Sequence, residues 1–174
     1  MDIKRKELDI DLRVEMQELI EDYAYHALLV RTSDMSCSCT EGQSQQYSTI
    51  CPICLGTAKR IRLERINVIS KLAIQTTRLV NATIQSKLGE ISSDSKVFYI
   101  KYNIKPSVGS LICEVSWKNN KPVSILGVYK IEYTVPLRME HGRSEYAVVV
   151  AHREVTNVDF REKTIRTMKI HVRE

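Results

Sequence analysis

Hydrophobic and polar positions alternate at the start of the chain. Leu8, Ile10, Leu12, Val14 and Met16 are separated by charged or polar residues, the period of a strand with one buried face. Leu8, Leu12, Met16, Leu19 and Tyr23 also share a face at helical spacing, so a helix over residues 5–22 competes. The alternation favours a strand followed by a short helix. Ala24 to Arg31 ("AYHALLVR") reads as a second strand, and Ser33 to Gly56 as a polar loop. Beyond it, Ile66, Ile69, Leu72, Ala73, Thr76, Leu79 and Val80 fall on one stripe at 3.6-residue spacing. That stripe predicts a long helix from Thr57 to Ala82.

Gly89 to Lys96 has the composition of a linker-like loop, and from Val97 onward the chain reads as strands. The expected spans are 97–104, 108–118, 122–135, 145–156 and 158–172, with turns at Asn119-Asn120-Lys121-Pro122 and Glu140-His141-Gly142. Thr156-Asn157 is placed to close a hairpin into Phe160–Val172. The fold class expected is α+β: one domain over residues 1–174, in which a mostly antiparallel sheet packs on the 58–82 helix. Residues 33–56 form an inserted module between an early strand and that helix.

Length and composition fit this picture. The chain has 174 residues, 43% hydrophobic and 27% charged, enough to bury a core without staples. No apolar run reaches the roughly 18 residues of a membrane span, and the N-terminus "MDIKRKELDIDLR" has no secretory apolar core. A cytoplasmic protein is expected, with reduced thiols. Net charge is +5 and uneven: 5 basic and 9 acidic residues over 1–34, 10 and 4 over 35–105, 11 and 8 over 106–174. The basic excess begins beside the polar loop, which suits a nucleic-acid partner.

Four of the five cysteines lie in that loop, as Cys37-x-Cys39, eleven residues, then Cys51-x-x-Cys54. Clustered thiolates in a reducing compartment favour metal, and tetrahedral zinc takes four. Pro52 stiffens the second pair, and Gly56 permits the turn that follows. Cys37, Cys39, Cys51 and Cys54 are therefore candidate ligands of a structural zinc, with a redox pair or unligated thiols as the alternatives. A loop this poor in apolar residues would be ordered by the ion. Cys113, in "SLICEVSW", reads as an inert core thiol.

Around the cysteines the chain resembles the B subunit of the tRNA-dependent amidotransferases. "CPICLG" below a C-x-C pair is similar to that family's CPVCLG, and His26 stands eleven residues before Cys37, as in the family's cradle domain. "LVNATI" looks like its ALNCEI, "KVFYIKYNIKP" is similar to its NYFYPDxPKG, and "VPLRMEHGRS" stands where it has LHMEEDAGKS. The likeness spans residues 20–145 and is specific only from Cys37 to Gly56. It implies a zinc-bearing cradle with tRNA or a translation complex as partner. The family's ATP-dependent chemistry needs carboxylates to hold Mg²⁺, but Ala24 and Leu28 flank His26, and the acidic segment is reduced to Glu140 beside His141. The resemblance thus implies a short relative that keeps the zinc and lacks the kinase site.

Lys59, Arg60, Arg62 and Arg65 would crowd the first turns of the expected helix. The helix dipole disfavours cations there, and a phosphate partner would offset that; these four are the candidate nucleic-acid contacts, the alternative being a solvated basic end. Tyr99, Tyr102, Trp117, Tyr129 and Tyr133 lie among Lys96, Lys101, Lys105, Lys118 and Lys130, a composition that suits base stacking or ordinary strand packing. Under an enzyme reading His26 and His141 are the candidates for catalysis; Glu140, His141 and Glu145 cluster near a turn, which a charged turn also explains, and no nucleotide-binding or hydrolase motif is present. The expected function is a non-catalytic zinc-bearing adaptor that binds RNA, such as tRNA, or a translation-related complex. The alternatives are an ATP-dependent amidotransferase-like fragment and a protein–protein interaction module.

Overall fold

The computed structural model describes residues 11–40, 51–72, 94–138, 142–154 and 158–172. In chain order these form α1 (Leu12–Tyr23), β1 (Tyr25–Ser36), a 3₁₀ turn (Ser38–Thr40), β2 (Lys59–Leu72), β3 (Lys96–Lys101), β4 (Leu111–Lys118), β5 (Lys121–Arg138), β6 (Ser144–Arg153), α2 (Val158–Thr167) and β7 (Ile170–Val172). The strands run in the order β1-β4-β5-β6-β3-β2, and β1 pairs back onto β2. Six antiparallel strands thereby close into a barrel, and β7 adds to β2 in parallel. Closure leaves few unpaired edges.

The α+β expectation is overturned: the protein is mostly β, and no long helix packs on the sheet among the described residues. The largest correction concerns Thr57–Ala82. Residues Lys59–Leu72 are strand β2; residues 73–82 lie outside the described ones. Ile61, Ile66, Val68 and Ile69 are β-branched, which favours strand. The misleading helical stripe arises because β2 is covered on both faces. Ile66 and Val68 point into the barrel, while Leu63 and Ile61 pack outside it. Two-sided burial erases the period of two.

Two other assignments are corrected. The strand expected through Leu12–Met16 is helix α1; Asp11 caps it by accepting from the Arg13 N–H at 3.0 Å. Val14, one of the alternating apolar residues, is 51% exposed, whereas Ile20 is buried. The strand expected over 158–172 is helix α2 followed by the short β7. Arg161, Thr164 and Ile165 are buried with Met168 packed beside them, and spacings of three and four make one helix face. The Thr156-Asn157 hairpin lies outside the described residues. Strands over 97–104, 108–118, 122–135 and 145–156 were expected, and β3 to β6 occupy those places.

The barrel interior is Ala27, Leu29, Ile66, Val68, Phe98, Ile100, Ile104, Ile112, Tyr129, Ile131, Val149 and Ala151. The Phe98 and Tyr129 rings meet edge-on, 5.4 Å between centroids. Polar groups close the two ends. At one, buried Glu64 is held by Arg31 at 2.7 Å and Arg62 at 3.5 Å. At the other, Lys96 Nζ reaches Glu114 at 2.7 Å, and the Tyr25 hydroxyl lies 2.5 Å from Glu114 Oε1 and 2.8 Å from Ser70 Oγ. A second apolar cluster lies outside the barrel, where Leu28, Val30, Leu63, Leu111, Cys113, Val115 and Val128 are covered by Ile165 of α2 and by Leu55. Leu55 comes from the cysteine loop, so that loop is docked on the barrel wall.

Candidate metal centre

The two cysteine pairs sit at the two ends of the β1–β2 connection. β1 ends at Ser36, which pairs with Lys59 at the start of β2, and the Cys37 N–H donates to the Ala58 carbonyl at 2.9 Å. That ladder brings Cys37-x-Cys39 beside the Cys51–Gly56 turn. Each pair is followed by a threonine that closes a tight turn. Thr40 donates through its N–H at 2.9 Å and its hydroxyl at 2.6 Å to the Cys37 carbonyl; Thr57 does the same to Cys54, at 3.0 and 2.6 Å. Leu55, Gly56 and Ala58 have φ of 50°, 79° and 63°, so the chain curls in left-handed steps around Cys54. Only Gly56 takes this conformation without steric cost.

The four sulfurs converge. Cys37 Sγ lies 3.7 Å from Cys51 Sγ, Cys39 Sγ lies 3.6 Å from Cys54 Sγ, and all four fall within 4.8 Å of one another. Cys37, Cys51 and Cys54 are buried, and none of the four is in a disulfide. Thiols gathered this closely with no bond between them form a set that can hold a metal ion. Burial pushes the Cys51 thiol up, but the N–H groups of Ile53 and Cys54 and the sulfurs of Cys37 and Cys39 outweigh it and bring it down to about 7. Cys54 accepts from the N–H groups of Gly56 and Ala58, yet burial keeps its thiol above the ordinary value. Backbone N–H groups aimed at sulfur stabilise thiolate, the form a metal takes.

The loop is fastened through two residues that the sequence reading did not single out. Leu55 is fully buried in the outer cluster, and its carbonyl accepts from Arg161 Nη2 at 3.2 Å. Arg161, 3% exposed, also faces Glu154 at 3.7 Å. The signal for Leu55 was an apolar residue between Cys54 and Gly56 in a polar loop; nothing local marked Arg161, because α2 was read as a strand.

The basic residues do not gather into one patch. On a strand Lys59, Arg60, Arg62 and Arg65 alternate between faces. Lys59 and Arg60 are exposed beside the cysteine loop. Arg62 turns to Glu64 at the barrel end. Arg65 donates to Asn120 Oδ1 at 3.1 Å and lies 5.8 Å from the Trp117 ring centroid. The helix-dipole argument for phosphate lapses with the helix. His26 Nδ1 is 2.6 Å from Asn67 Oδ1, and its ring meets Trp117 edge-on at 6.2 Å. His141 lies outside the described residues. Cys113 is fully buried, and burial pushes its thiol up to about 12.

Neither the protein-family models nor the curated proteins give a match to this chain. The amidotransferase likeness therefore stands on the quoted residues alone, and the helix that follows CPVCLG in that family has strand β2 in its place here. No described helix is long and apolar enough to cross a membrane.

Proposed function

We propose that the chain is a non-catalytic β-barrel binding module whose cysteine loop is clipped shut by one structural zinc ion. The observation that carries this is the spacing of the sulfurs. Four thiolates about 2.3 Å from a central zinc form a tetrahedron with edges of about 3.8 Å. The Cys37–Cys51 and Cys39–Cys54 separations of 3.7 and 3.6 Å match those edges, whereas a disulfide needs about 2.05 Å. A four-thiolate set is closed and leaves no position for a water, which points to structure rather than catalysis. Binding would supply on the order of 10–16 kcal/mol at neutral pH, ample to order a loop with little apolar content.

The charge balance fits as well. Zinc with four thiolates carries a net charge of −2. Lys59, paired with Ser36 next to Cys37, and Arg60 beside it stand at the cysteine end of β2. Their place is explained by the centre's own charge. An enzyme reading draws no support from His26, whose ring is engaged by Asn67 and Trp117. RNA or a translation complex remains a partner class suggested by composition and by the amidotransferase likeness.

The test is thermal unfolding with and without a strong chelator. Chelation should lower the midpoint, and one equivalent of zinc should restore it. Cys54→Ser should reproduce the chelated state, while Cys113→Ser should keep the metal response. A midpoint indifferent to chelation in the native chain would rule the clip out.

A further inference from the structure

Three of the four clustered sulfurs belong to residues shut away from solvent, and the fourth does not. Cys37 and Cys54 are 0% exposed and Cys51 is 7% exposed, whereas Cys39 is only partly buried. Cys39, carried on the 3₁₀ turn Ser38–Thr40, is therefore the thiol that a small solute meets first. Its Sγ lies 3.6 Å from the Sγ of buried Cys54. A reachable thiolate backed by a second sulfur is the arrangement in which a cysteine is oxidised and then resolved as a disulfide.

We propose that Cys39 is the oxidation site of a reversible zinc switch, in which a small hydroperoxide joins Cys39 to Cys54 and the ion is released. This rests on the structural-zinc reading of the four cysteines. In the first step the Cys39 thiolate attacks a peroxide oxygen. The S–O bond forms and the O–O bond breaks; sulfur gives up two electrons, and the departing oxygen takes a proton from water. In the second step the Cys54 thiolate attacks the Cys39 sulfur. The S–S bond forms, the S–O bond breaks, and hydroxide leaves and is protonated. With hydrogen peroxide, two thiolates, one peroxide and two protons thus become one disulfide and two waters. A dithiol reductant returns the two electrons and restores both ligands.

A disulfide of about 2.05 Å draws the two sulfurs together by about 1.5 Å from their 3.6 Å separation. The ion is left with two thiolates of four and loses the closed tetrahedron that held it. The loop is then fastened to the barrel wall only through Leu55, which follows Cys54 directly and sits in the outer cluster. Two backbone bonds in the turn depend on the same few residues. The Leu55 N–H donates to the Cys51 carbonyl at 2.9 Å, and the Thr57 N–H to the Cys54 carbonyl at 3.0 Å. Movement of Cys54 and loss of the ion loosen both.

The experiment exposes the full chain, its zinc content measured beforehand, to hydrogen peroxide. A zinc-responsive dye follows release, dimedone traps sulfenic acid, and mass spectrometry maps the modified peptides. Zinc release, a dimedone adduct on Cys39 and, without the trap, a Cys39–Cys54 disulfide are expected. Amide exchange at Leu55 and Thr57 should rise on oxidation, and a dithiol with fresh zinc should restore the starting state. Cys39→His, which keeps four ligands that zinc accepts, should hold its zinc under the same exposure; if this variant fails to load zinc, the adduct map of the native chain decides. A chain without zinc before the oxidant is added overturns the clip itself and this proposal with it. Where zinc is present at the start, its retention under peroxide overturns this proposal alone. So does a first adduct on Cys37, Cys51 or Cys54, a disulfide other than Cys39–Cys54, unchanged amide exchange, or release from Cys39→His at the native rate.

Discussion

At the scale of single residues, Leu55 decides whether the cysteine loop is part of the protein or an appendage. It is fully buried among Leu28, Val30, Leu63 and Cys113, and truncating such a side chain costs about 2–5 kcal/mol. Leu55→Ala should lower denaturant stability by that amount while leaving metal content unchanged, because no ligand is touched. Loss of metal in this variant would mean that docking creates the site. Tyr25 is a second informative residue. Burial, reinforced by the Glu114 carboxylate, pushes its phenol above its ordinary value. A raised value in the folded state gives stability that is complete below about pH 10 and is lost as pH rises further. Lys96 behaves alike: burial pulls its ammonium down, but Glu114 holds it above its usual value. Stability measured from pH 8 upward should therefore fall above about pH 10, and Tyr25→Phe should flatten that limb without abolishing it.

At the scale of elements, the barrel strands show what the sequence made legible and what it hid. The four central strands β3 to β6 were readable because apolar runs such as "LICEVSW" and "YAVVVA" are bounded by turn residues. β2 was not, since both its faces are buried and its apolar positions then satisfy a helical stripe as well as a strand. α1 was hidden for the converse reason: one of the apolar residues that alternate in sequence, Val14, is left in solvent. β5 carries a constraint invisible to pattern. Gly127 faces the barrel interior opposite Glu114, and a Cβ there would stand 2.8 Å from Tyr129 Cε2. The Tyr129 ring is itself packed on Phe98 and has little room to yield. Gly127→Ala should destabilise by about 1–3 kcal/mol, measured by chemical denaturation. A neutral result would show that the ring is free to turn.

For the whole molecule, the cysteine pattern was legible and the architecture was not. Ligand spacing is local in sequence, so Cys37, Cys39, Cys51 and Cys54 could be assigned together before any fold was known, and their sulfurs do converge. Barrel closure depends on pairings between distant segments, β1 with β4 and β3 with β6, and no local signal encodes them. The placement of the basic residues turns on the same difference between local and distant signals. Lys59, Arg60, Arg62 and Arg65 are close in sequence, but strand β2 turns them to different faces. The four-cysteine cluster lies at the β1–β2 connection, where the loop, the barrel wall and α2 meet through Leu55 and Arg161; the zinc proposed for it would tie them together. The most direct test is elemental analysis of the native chain purified without added metal, combined with a thiol count before and after chelation. One zinc per chain, with four thiols released to reagent only by the chelator, is the expected result. A chain without stoichiometric metal, or with its sulfurs joined as disulfides, would contradict the account.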